Sequence, residues 1–147
     1  MKLLIFILFY ILFTFSIVGY GMLLRKFVGQ NSTNCIGYSG IYGIFFITFI
    51  SYFINYFIPI SGLINIFIHF FGFVLFFYFY KKKFLFTNNE LVILFIVILF
   101  SFLFIFSAKP HDDFSYYHFP YINMLNNDSL QIGIGNFNHG FRTHSSI

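Results

Sequence analysis

The sequence predicts an all-α membrane protein: about four transmembrane helices, then an extracytoplasmic loop with a short juxtamembrane helix. Three observations predict this. Only 8% of the 147 residues are charged and 59% are hydrophobic, whereas a water-facing domain carries roughly 25% charged residues. The charges are also segregated, since no Asp, Glu, Lys or Arg lies within residues 3–24, 27–80 or 91–108. Finally, these apolar runs lack the period-two alternation of barrel strands.

The first element is a span over residues 3–24. About 20 apolar residues cross a hydrocarbon core of about 30 Å, and a helix satisfies its own backbone there. The run is too long for a signal peptide, lacks an A-x-A site and is followed by Arg25 and Lys26, so it reads as an uncleaved span. The next block, residues 27–80, holds 54 residues, too many for one helix. Its polar, glycine-rich start, "VGQNSTNCIGYSG", reads as a loop. The remainder breaks at "IPISG", where Pro59 and Gly62 punctuate a tight turn. That yields a helical hairpin over residues 39–58 and 62–80. A fourth span covers residues 91–108. The transmembrane region is therefore residues 1–108, and residues 109–147 form the extracytoplasmic loop.

The formal charge of +4 marks topology and not a nucleic-acid partner. Arg25, Lys26, Lys81, Lys82 and Lys83 fall on one side of the spans, and Lys2, Lys109 and Arg142 on the other. The positive-inside bias puts the Lys81–Lys83 loop in the cytoplasm, with the amino terminus and the tail outward. A lone cysteine, Cys35, excludes an internal disulfide and a cysteine metal cage. Within the spans, His69 reads as a neutral imidazole bonded to a neighbouring helix, and Asn55 and Asn65 as hydrogen-bonding groups between the hairpin helices.

The tail differs in kind. Residues 109–147 hold four of the five histidines and three of the four acidic residues. Asp112 and Asp113 stand together where the last span ends. Such a pair can hold Mg²⁺ or Mn²⁺, or supply a general base whose affinity for protons is raised by its neighbour. It equally fits a helix N-cap followed by a solvated first-turn acid. His118 is a candidate ligand, proton carrier or phosphate partner. Asp113 and Tyr117 would share a helical face, whereas Asp113 and His118 would diverge, and Pro120 disfavours helix at Phe119. Residues 133–146, "GIGNFNHGFRTHSS", combine glycines, Asn136, His139, Arg142 and His144. That composition suits a loop around a phosphate or a sugar, and also an ordinary surface loop.

Together the two clusters resemble a family of large bacterial multi-span proteins similar to the GT-C glycosyltransferases, which use polyprenyl-phosphate-linked sugars. The family pattern is an outward D-x-x-x-Y-H-[LF]-P, then G-[LI]-G-N, a histidine, an arginine and S-S. Asp113, Tyr117, His118, Phe119 and Pro120 match its first part. Gly133, Ile134, Gly135, Asn136, Ser145 and Ser146 match its second. The match departs where the histidine and arginine are expected: Asn138 and Gly140 stand there, with His139 and Arg142 displaced. The resemblance implies a bacterial inner (plasma) membrane enzyme of envelope polysaccharide synthesis, with a lipid-phosphate sugar as donor. Asp113 would be base or metal ligand, Asp112 its support, and His118 a phosphate or hydroxyl partner. Tyr117, Asn136, His139, Arg142 and His144 would contact substrate. Enzymes of this kind are several times longer, so the chain is expected to be the amino-terminal part of one. The alternative is a small non-enzymatic polytopic protein, such as a transporter subunit or assembly partner.

Overall fold

The computed structural model describes residues 2–29, 36–81, 88–107, 114–116 and 118–131. These form five helices: α1 (Lys2–Phe27), α2 (Ile36–Phe57), α3 (Gly62–Lys81), α4 (Asn88–Ser107) and α5 (His118–Asn127). Among the described residues there is no strand. Stretches of α1, α2 and α3 (Leu4–Phe27, Ile36–Phe57 and Gly62–Lys81) are long and apolar enough to cross a membrane, and α4 is apolar over Asn89–Ile105.

Local chemistry sets the helix ends. α1 closes where Val28 N–H donates to the Leu24 carbonyl (3.0 Å) and Gly29 adopts a φ of 74°. That left-handed geometry suits a glycine C-cap. The hairpin turn falls at the predicted "IPISG". Ile58 N–H makes a last helical bond to Ile54, and Asn65 N–H bonds the Ser61 carbonyl to open α3. One boundary differs from expectation. Residues 36–38, expected before the start of the helix, belong to α2. Packing decides this against propensity, because Ile36 and Ser39 are buried against other helices.

By backbone contacts the chain divides into two units, Met1–Ile47 with Phe67–Ala108, and Thr48–Ile66 with Lys109–Ile147. In the first, α1 is the hub. It runs parallel to α3, pairing Ser16 with His69 and Lys26 with Phe79, and antiparallel to α2, pairing Arg25 with Ser39. It also runs beside α4, where the Phe6 and Tyr10 rings lie 6.0 and 6.2 Å from Phe102. The apolar core is Val18, Met22, Ile36, Phe76 and Phe79. Backbones approach closely on two faces of α1. A Cβ at Gly19 would collide with the Gly72 carbonyl and lie 2.7 Å from Phe76 N, and one at Gly43 would collide with the Ile17 carbonyl. Small residues let helices meet at such distances.

The second unit holds the hairpin turn and α5. Ile60 N–H donates to the Leu125 carbonyl (2.9 Å), and Leu130 N–H donates to the Asn55 carbonyl (2.8 Å). α5 itself has no fully buried residue.

Candidate functional site

Most of the sequence-predicted site lies outside the described residues. That holds for Asp112, Asp113, Tyr117, Asn136, His139, Arg142 and His144, and with Asp112 and Asp113 for the Mg²⁺ or Mn²⁺ position they would form. His118 is described. It is the first residue of α5, exposed, with its ring 6.4 Å from Phe114 in a stacked arrangement. Phe114 also packs on Phe119, at 6.3 Å. The expectation that Pro120 disfavours helix at Phe119 is corrected here, since α5 includes both residues. Pro120 is in the first turn, where a backbone N–H has no intrahelical partner to lose, and its fixed φ is already helical.

Beyond Pro120, α5 continues to Asn127, whose side-chain amide donates back to the Asn123 carbonyl (2.8 Å). Past the helix end, the chain meets Asn55. This residue is 2% exposed. Its Nδ2 donates to the Asp128 carbonyl (3.3 Å), while its own backbone carbonyl accepts from Leu130. Asn55 was expected to bond across the hairpin; its partner is instead the segment after α5. Asn65 likewise bonds within the turn, to the Ile60 carbonyl at 3.4 Å. Asn55 Oδ1 is buried without a hydrogen-bond partner. An orphaned amide oxygen costs about 1–3 kcal/mol. A cavity of about 20 Å³, lined by Asn55, Tyr121, Leu125, Asp128 and Gln131 among others, adjoins it with room for one water molecule.

Further hydrogen-bonded polar groups lie in the first unit. Ser16 Oγ is 3.2 Å from His69 Nδ1, as expected for an imidazole bonded to a neighbouring helix, and Phe13 packs on the His69 ring at 4.7 Å. Tyr20 O–H donates to the Ile68 carbonyl (2.8 Å). Arg25, read from the sequence only as a flanking charge, is 2% exposed, and its Nη1 donates to Ser39 Oγ (2.9 Å). The signal for that pairing was present in Ser39-x-x-x-Gly43, a small-residue pair four apart on α2. These bonds join helices of the first unit. Among the described residues, no group of three or more His, Cys, Asp or Glu side chains is placed to hold a metal ion.

Against known families, residues 1–147 match one described as a domain of unknown function, DUF8201. No curated protein and no solved structure matches the chain.

Proposed function

The chain belongs to the DUF8201 family, and from its tail motifs we propose that it is the amino-terminal portion of a GT-C-like membrane glycosyltransferase of envelope polysaccharide synthesis. Its donor is a polyprenyl-phosphate-linked sugar, and transfer occurs at the outer face of a bacterial inner membrane. The observation that carries this reading is the position of the His118-Phe119-Pro120 motif. It opens α5, and α5 is tied by backbone hydrogen bonds to the α2–α3 turn. That turn is at the opposite end of α3 from Lys81. The outward side is inferred from charge bias, which assigns the Lys81–Lys83 loop to the cytoplasm and the tail to the face where lipid-linked donors are used. A fourth span through α4 would put the tail on the same side as the amino terminus: its 20 residues extend about 30 Å at 1.5 Å per residue, the thickness of a hydrocarbon core.

The chemistry follows from residue type. An acceptor hydroxyl oxygen attacks the anomeric carbon of the donor sugar. The bond from that carbon to the phosphate oxygen breaks, and the lipid phosphate leaves with the electron pair. Asp113 takes the hydroxyl proton; alternatively, Asp112 and Asp113 would hold a divalent cation, which would supply positive charge for the leaving phosphate. His118 donates to a phosphate or hydroxyl oxygen. Tyr117, Asn136, His139, Arg142 and His144 supply the remaining donors to sugar and phosphate.

The test is Asp113→Asn in the intact gene, with sugar transfer from lipid-phosphate donor measured in isolated membranes. Loss of a general base lowers the rate by about 10²–10⁴-fold. Full transfer in that variant would eliminate the role of Asp113, whereas no transfer by the parent protein would favour the non-enzymatic reading.

A further inference from the structure

We propose that Asn55 is a positioning residue. It ties the end of α5 to the last turn of α2, and through α5 it sets where His118 stands. The inference rests on the reading that His118 meets the donor.

The case begins with what ties the α5 end to the hairpin. No residue of the helix is fully buried, and Pro120, Tyr121, Met124 and Leu125 are half-buried. Three hydrogen bonds join the helix and the segment after it to the end of α2 and the turn: Ile60 N–H to the Leu125 carbonyl, Leu130 N–H to the Asn55 carbonyl, and Asn55 Nδ2 to the Asp128 carbonyl. Two of the three use Asn55. The side-chain bond requires a donor of this length at this position. Asn55 also lies within a long apolar helix, yet it makes no described bond to another long helix. Its amide is directed to the segment after α5 and to the small cavity beside it. Polar glue between spans would show the reverse pattern. From Leu125 back to His118 is seven residues of one helix, or about 10 Å of rigid arm. A clasp at one end therefore fixes the histidine at the other.

The experiment uses the full-length protein in membranes, with Cys35 replaced by serine. Ile60→Cys and Leu125→Cys are introduced as a disulfide-trapping pair that reads docking directly. Asn55→Leu keeps the volume and removes the amide. Leu130→Pro removes the partner N–H without touching α2, and serves if the first variant fails to fold. Either variant is expected to lower trapping about five-fold or more. In the transfer assay, without the cysteine pair, either should raise KM for the lipid-phosphate sugar about ten-fold, the scale of one hydrogen bond. kcat should change by less than about three-fold. His118→Ala combined with Asn55→Leu should be no worse than the more severe single variant, because one acts through the other. Unchanged trapping, or additive losses in the double variant, overturns the proposal. If the parent protein transfers no sugar, the glycosyltransferase reading falls, while the trapping result still decides whether Asn55 holds α5.

Discussion

Replacing Gly21 by alanine tests the closest helix contact in the first unit. A Cβ there would run into the Ser39 carbonyl and lie 2.9 Å from Gly43 N. Both obstacles are backbone, so no rotamer change relieves the clash, and α1 and α2 must separate. Restoring ordinary van der Waals distance requires a shift of about 1.5 Å. The Arg25 Nη1 to Ser39 Oγ bond, now 2.9 Å, would then exceed hydrogen-bonding range. Overpacking costs about 1–3 kcal/mol, and loss of a hydrogen bond to a charged group about 1.5–3 kcal/mol. The sum is roughly 2.5–6 kcal/mol. Gly40 provides the control, since a Cβ there meets nothing within 4 Å. Gly40→Ala should leave stability unchanged or improve it by up to about 1 kcal/mol, the intrinsic preference of a helix for alanine. Reversible unfolding in mixed micelles measures both. Equal stability of the two variants would refute the close-approach argument.

Other predictions concern single bonds. In a double-mutant cycle with Ser16→Ala and His69→Ala, the coupling should be about 0.6 kcal/mol and no more than about 1.7 kcal/mol, the range for side-chain bonds between membrane helices. A coupling of zero would mean that the 3.2 Å contact contributes nothing. Pro120→Ala should leave disulfide trapping between positions 60 and 125 within about two-fold, because a first-turn proline loses no helical bond. Met124→Pro, in the helix interior, should abolish the same trapping; survival of the cross-link would contradict the assigned helix.

The long helices were legible because charge and proline placement announce them. The uncharged runs locate α1, α3 and α4 to within a few residues, and Pro59 with Gly62 locates the hairpin turn. What escaped the sequence was which face of each helix meets which. In spans that are apolar all round, periodicity points nowhere. The contact faces are written instead in sparse small residues: Gly19 against Gly72, and Gly21 against Ser39 and Gly43. Arg25 escaped for a related reason. A cation at a helix end fits the positive-inside rule so well that burial against Ser39 leaves no separate mark. The candidate site was legible only as a motif. His118 and Pro120 are placed by α5, while the partnership of Asn55 with Asp128 joins residues 73 positions apart, and no local pattern encodes it.

The distribution of polarity gives this arrangement its physical sense. Among the described residues, the buried polar side chains are Ser16, Arg25, Ser39, Ser51 and Asn55, while large aromatics such as Phe45, Phe67 and Phe104 are exposed. In water that arrangement would be unstable, since soluble proteins rarely expose apolar patches beyond a few hundred Å². In lipid it is what association requires. Hydrocarbon solvates phenylalanine as well as another helix does, so helices gain by bringing backbones together and by pairing polar groups. Many of the aromatic side chains therefore face outward, while the interior of the first unit combines Val18, Met22, Ile36, Phe76 and Phe79 with small and hydrogen-bonded groups. Most of those interior groups are used up in joining helices. Asn55 differs, because its amide turns to the segment after α5.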